Sequence, residues 1–414
     1  MKILVIKNTF LLLLISSICV IIPNNSHAQL ENPDLPYREG LKVKPLIVHG
    51  AYKQEVQLDT NVFLENEDAK FDVITIFSPS FGVELPYYDH NFSVDYDIRF
   101  NLFGVYNDHS YIDHKVRGLA DLDFNNFYIQ LFDEYRYFSD RAGTEDTNRV
   151  KRQNNFLSAA IGSEFEQLKV DFKYTFGVED FLSDETLYTS TQGSLDYHDK
   201  DRFLNIFTGE VSYRFLPKTS ILFESEAGIL SYHSKKSSNS WYTETTVGLR
   251  GDLKKDLTIN LKAGIRYQSY DTSTLTDSDD YLGPVARGSI RYYFSKDDMV
   301  DLAIERAVYE STFNNLNFYE VNHAGLNYTH YFNRKLYTSL YGYYQLNLYP
   351  SEAVVDGVTA KRYDNLFGGG CSLRYNVKKW LSLEARYEYN QRKSRFGTFN
   401  YVDNLITISG VVGF

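Results

Sequence analysis

Every second residue from Leu168 to Val178 is apolar: Leu168, Val170, Phe172, Tyr174, Phe176 and Val178. Lys169, Asp171, Lys173, Thr175 and Gly177 stand between them. The same alternation runs through Leu257, Ile259, Leu261, Ala263, Ile265 and Tyr267, with Thr258, Asn260, Lys262, Gly264 and Arg266 in the gaps. Strand side chains point to opposite faces in turn, so each stretch reads as a strand with one apolar and one polar face. Alternating stretches recur from residues 48–58 to residues 402–414 and make about 18 strands in all.

The connections between these stretches alternate in length. Residues 124–127, 215–218, 252–256, 295–298, 333–335 and 376–379 are short links. Between them fall longer ones at 139–152, 182–202, 233–240, 271–283, 309–317 and 350–361. A soluble sandwich has no reason to segregate loop length by end. A transmembrane barrel does, with short periplasmic turns and long external loops. A Lys or Arg facing lipid at mid-membrane costs about 2–4 kcal/mol, which explains why charge collects on one face of each strand.

The amino terminus supports a membrane destination. Lys2 and Lys7 precede an apolar run over 10–22, Pro23 breaks it, and Ser26-His27-Ala28 offers small residues at a cleavage point. This predicts a signal peptide over 1–28, a short periplasmic segment over 29–45 and a barrel over 46–414. No later run is long and charge-free enough for a membrane helix. A chain that spans the bilayer with strands must close them, because lipid leaves an open sheet edge unsatisfied. The fold class expected is therefore all-β, a transmembrane antiparallel up-and-down barrel of about 18 strands.

Composition adds three constraints. The 43 Lys and Arg face 54 Asp and Glu, a net charge of −11, which argues against a nucleic-acid partner. Tyr (35) and Phe (29) abound while Trp and Met number two each, a strand-favouring bias. Past the leader Cys371 is the only cysteine, so no intrachain disulfide is possible.

The final strand carries Ile406, Ile408, Gly410, Val412 and Phe414 on one face and Leu405, Thr407, Ser409, Val411 and Gly413 on the other. It resembles the terminal strand of bacterial outer-membrane barrels. With Asp59-Thr60-Asn61-Val62-Phe63, Asp72, Pro79, Arg386-Tyr387, Ser394, Tyr401 and Asn404, the chain resembles a family of outer-membrane β-barrel porins associated with exopolysaccharide or capsule gene clusters. The resemblance covers nearly all of the chain beyond the leader. It implies residence in outer-membrane lipid and supports the fold more than the transported species; a saccharide or exported polysaccharide as cargo, with periplasmic export partners, is the expectation set beside it.

A channel acts through its inward face. Strand parity places Arg99, Lys173, Glu224, Glu226, Glu244, Arg250, Lys262, Arg266, Arg287 and Arg291 there as lumen-lining candidates. Opposed charges of this kind form either a hydrated path with a transverse field or a salt-bridged filling that orients strands. Tyr337, Tyr341 and Tyr343 share one face of a strand, where they either stack on sugar rings or pack the wall.

Catalysis has little support, and no cofactor or metal is expected. None of the histidines has the H-E-x-x-H spacing. His323 and Ser339 are the one pair that adjacent strands could bring together for a hydrolase. Gly368-Gly369-Gly370 lacks a phosphate loop's Lys and reads as close packing or a kink. Asp277-Ser278-Asp279-Asp280 reads as a solvated loop or a weak calcium site. The leading expectation is a passive channel, against a closed barrel whose external loops, residues 182–202 above all, bind something outside.

Overall fold

The computed structural model describes residues 40–141, 145, 148–190, 193–276 and 279–414. The expected leader and most of the segment expected over 29–45 lie outside the described residues. The end of that segment, β1 (Leu41–Val43), folds back antiparallel on the next strand, with Leu41 opposite Val48.

Eighteen strands then form one wall. They begin with β2 (Leu46–Asp59), β3 (Asp72–Tyr87), β4 (His90–Phe103), β5 (Tyr111–Asp123), β6 (Tyr128–Arg141), β7 (Arg149–Phe165) and β8 (Leu168–Phe181). A small separate hairpin, β9 (Thr186–Ser190) and β10 (Gly193–Asp196), interrupts the series. The wall resumes with β11 (Arg202–Leu216), β12 (Thr219–Tyr232), β13 (Ser240–Lys254), β14 (Leu257–Tyr270) and β15 (Tyr281–Tyr293). It ends with β16 (Asp298–Glu310), β17 (Phe318–Tyr331), β18 (Leu336–Val355), β19 (Val358–Lys378), β20 (Leu381–Ser394) and β21 (Tyr401–Gly413). Neighbours in the chain pair antiparallel, β8 pairs with β11, and β21 pairs with both β20 and β2. The last ladder, from Ala51 opposite Gly413 to Asp59 opposite Leu405, closes the barrel and leaves the wall no free edge.

The register follows the alternation. On β21 Ile406, Ile408 and Val412 are exposed on the outer face, while Thr407, Ser409 and Val411 are buried inside. On β8 Val170 and Phe172 face out, as do Leu340 and Tyr344 on β18.

Several of the residues that carry the family resemblance meet at the closing seam. Thr60 donates its N–H to the Asn404 carbonyl at 3.1 Å, and Asn404 returns a bond to the Thr60 hydroxyl at 2.9 Å. The Asn61 side chain bonds the Val402 carbonyl at 3.0 Å. Asp72, fully buried, accepts the N–H groups of Gly104, Val105 and Tyr106 at 2.9–3.0 Å and so holds the next loop. Val62 packs there with Ile74, Ile76 and Phe103. These positions secure the closure and say nothing of a cargo.

One expected loop is absent. Residues 350–361 are strand: β18 and β19 continue past the other strands, with Glu352 opposite Lys361 and Val355 opposite Val358. Asp356 and Gly357 form the turn at φ of 51° and 77°. Two positive φ angles are what a type I′ hairpin turn needs, and Asp-Gly between alternating residues is its signature.

Candidate functional site: a lumen divided by Glu145

Glu145 lies between β6 and β7 and is 1% exposed. Its carboxylate accepts the Ser311 hydroxyl at 2.6 Å and the Thr312 N–H at 2.9 Å. Its backbone carbonyl accepts Arg362 at 2.8 Å and Arg392 at 2.9 Å. Ser311 and Thr312 follow β16, and the arginines stand on β19 and β20, nearly half the circumference away. The contact therefore crosses the barrel.

The receiving wall is rigidly built. Arg362 and Asp364 are fully buried and joined through the guanidinium fork at 2.7–3.1 Å. The Arg362 guanidinium lies 4.3 Å from the Phe313 ring centre, 4.0 Å from Phe399 and 4.9 Å from Tyr349. A planar cation between aromatic faces keeps little rotamer freedom, so its remaining donor is aimed before Glu145 arrives.

Two cavities lie inside the barrel, and Glu145 and Thr312 line the smaller of them. The walls from β7 to β17 enclose about 150 Å³. The walls from β2 to β7, with β21, enclose about 460 Å³. Their chemistry differs. In the smaller cavity six cations and five carboxylates come close to balance. Lys262 donates to Glu224 at 2.9 Å, Arg287 to Glu244 at 2.6 Å, and Arg266 lies 3.5 Å from the same Glu244. Glu226 accepts from the Tyr242 hydroxyl at 2.7 Å. Lys173 shares this cavity and stands across Thr208 from Glu226 in the register.

The remaining candidates are distributed along the wall. Arg250 forks onto Glu210 at 2.7 and 2.8 Å, and Arg291 bonds Asp301 at 2.6 Å, both outside the two cavities. Arg99 alone of the named candidates lines the larger cavity. Tyr341 donates to Glu388 at 2.5 Å and Tyr343 to Asn390 at 3.0 Å, while Tyr337 is buried. Gly370 and Gly368 stand opposite Tyr341 and Tyr343; a Cβ on Gly368 would meet the Tyr343 ring at 2.1 Å. The glycine run is thus close packing, which lets aromatic rings lie flat on the neighbouring strand.

The 182–202 connection also turns inward. Leu195 and Tyr197 are buried, and a short 3-10 turn, Tyr197–Lys200, is capped by Asp196 and Asp199 in reciprocal hydrogen bonds. Lys200 is 2% exposed, and burial pushes its ammonium down to about 8 against the pull of Glu310 and Glu145. Asp199 stays below the usual carboxyl range: burial raises it, and the bonds from Lys236 at 2.8 Å and Ser234 at 2.6 Å more than offset that.

His323 and Ser339 do not meet. His323 stands opposite Gln345, while Ser339 stands opposite Thr329 and hydrogen-bonds it at 3.1 Å. Of the acidic run at 277–280, Asp277 and Ser278 lie outside the described residues. Asp279 accepts from Ser351 and Asp280 from Tyr267 and the Tyr270 N–H. Among the described residues one mixed group, Asp180, Asp201 and His233, brings ligand atoms within 4.8 Å, and it lines neither cavity. Sequence reasoning missed Glu145, because nothing in an external loop tells which of its acids reaches the far wall. It also missed Lys53 and Lys115, although strand parity was available for both.

Among solved structures, OpdK of Pseudomonas aeruginosa with vanillate matches with a TM-score of 0.48 and 10% identity, over 89% of this chain and 99% of that one. OccK3 (OpdO) of the same organism matches at 0.46 and 12% identity, over 89% and 96%. A mutant of its ferric enterobactin receptor PfeA matches at 0.46 and 10% identity, over 89% and 80%. No curated protein matches. A family model described as "Putative beta-barrel porin 2" matches residues 36–413, and the chain belongs to that family, as a porin-like channel of the bacterial outer membrane.

Proposed function

We propose that the chain is a constricted diffusion channel for small hydrophilic solutes, saccharides among them, and that solute moves on the β2–β7 side of the lumen. The supporting observation is the difference in free space. The larger cavity, about 460 Å³, falls within the roughly 300–1,000 Å³ typical of small-molecule sites, and the smaller, about 150 Å³, falls below it. Glu145 bridges the interior above a lumen that, at this strand number, is otherwise wide enough for water. A bridged lumen favours small solutes over an intact exported polysaccharide.

The test is single-channel current from the purified, folded protein in planar bilayers, with liposome swelling in neutral sugars. Stable conductance steps and swelling that slows from monosaccharide to trisaccharide are expected. A closed barrel that works through its external loops is the second reading. It draws on the inward fold of the 182–202 connection, where Leu195, Tyr197 and Lys200 are buried. Electrical silence from folded protein would select it.

A further inference from the structure

We infer that the larger cavity is an anion site, and that the solute it admits is a carboxylate-bearing molecule of about monosaccharide size. This rests on the channel reading and narrows it to a solute class. Five cations line the cavity: Lys53, Arg99, Lys115, Arg136 and Arg149. Two carboxylates, Asp97 and Asp113, share it. Glu55 holds Lys53 at 2.8 Å, and Asp97 is divided between Lys115 at 3.6 Å and Arg117 at 3.4 Å. Arg99 and Arg136 form no ion pair among the described residues. Arg136 lies over the Phe138 ring at 4.6 Å, and Arg149 donates to the Tyr111 hydroxyl at 3.1 Å.

The register sharpens the point. Lys115 stands directly opposite Arg136 on the inward face of β5 and β6. Like charges in that position weaken a sheet, and Asp97, opposite Lys115 on its other side, offsets this for only one of the two. An anion between them removes the conflict. Guanidinium forks match carboxylates in two-point contact, and a low-dielectric wall strengthens their attraction for a passing anion. Phe138 and Tyr111 also line the cavity, with the guanidinium groups of Arg136 and Arg149 over their rings. The smaller cavity is nearer balance: Glu224 holds Lys262, Glu244 holds Arg266 and Arg287, and Glu179 holds Arg202.

The test is the zero-current potential of the open channel under a potassium chloride gradient, for wild type and for Arg99→Gln/Arg136→Gln. Wild type should prefer chloride over potassium several-fold, and the double variant should lose that preference. Arg99→Lys/Arg136→Lys should keep its sign. In liposome swelling, galacturonate should enter several-fold faster than galactose in wild type and lose that advantage in the glutamine variant. A heat-modifiable gel shift shows that each variant has folded. An open channel that prefers potassium, or a glutamine variant with unchanged selectivity, overturns the anion site while leaving the channel intact. No current from folded wild type defeats the channel reading itself, and this inference with it.

Discussion

The two halves of the lumen spend their charges differently. From β7 to β17 most inward cations are tied to carboxylates, as Lys262 is to Glu224 and Arg287 to Glu244. From β2 to β7 five cations and two carboxylates line a cavity three times larger. Both walls use the same alternation of apolar outside and polar inside. Inward charge is therefore a poor guide to function by itself; what separates the halves is whether a partner stands within reach. A buried pair gives a firm wall at a desolvation cost, whereas an unmatched cation beside free space gives a ligand site.

The largest effect should come from the wall that receives Glu145. Asp364→Asn leaves the fully buried Arg362 without its counter-charge and should lower barrel stability by about 3–5 kcal/mol, read as the urea midpoint in lipid vesicles. Unchanged stability would show that the aromatic rings alone hold Arg362.

Glu244→Gln should cost somewhat less, because Arg287 keeps Glu305 at 3.8 Å. It also takes one carboxylate from the paired half and leaves Arg266 without its ion pair. If charge surplus without space is insufficient, anion selectivity should stay as in wild type, since the cavity there is only about 150 Å³. A marked gain in chloride preference would mean that ions travel on that side too.

Lys200 supplies a smaller, pH-dependent effect. Its folded value, about 8, lies below the ordinary 10.5, so between those values the unfolded chain holds a proton that the folded chain has released. Stability from this group is therefore greatest above pH 10.5 and declines as pH falls toward 8. The difference in unfolding temperature between wild type and Lys200→Met should shift in favour of wild type as pH rises through that window. A difference that stays flat with pH would place Lys200 in contact with water.

The smallest effect concerns the one misread connection. Gly357 has φ of 77° and open space around it, so Gly357→Ala should cost only about 1 kcal/mol of backbone strain, with conductance unchanged.

Much of the barrel was legible in the chain. Period-two alternation and uneven loop lengths are local signals, and every strand from β2 to β21 in the wall shows them. The overlooked hairpin was legible too, since Asp356-Gly357 sits between alternating residues. The divided lumen was not. Arg362, Asp364 and Glu145 meet across more than 200 residues of sequence, and the contact depends on a loop's path rather than on any periodicity. The inward parity of Arg99 and Arg287 could be read, but not that one is paired and the other free. That distinction lies in the register between strands, which only the closed barrel sets.

The central claim is that solute passes on the β2–β7 side. Gln57 lines the larger cavity and Thr208 the smaller, and Cys371 is exposed outside both. In a Cys371→Ser background, Gln57→Cys and Thr208→Cys would each be treated with a bulky thiol reagent while single-channel current is recorded. The account predicts that modification at position 57 blocks most of the current and that modification at position 208 leaves it nearly unchanged. Block at 208 with free flow past 57 would contradict it.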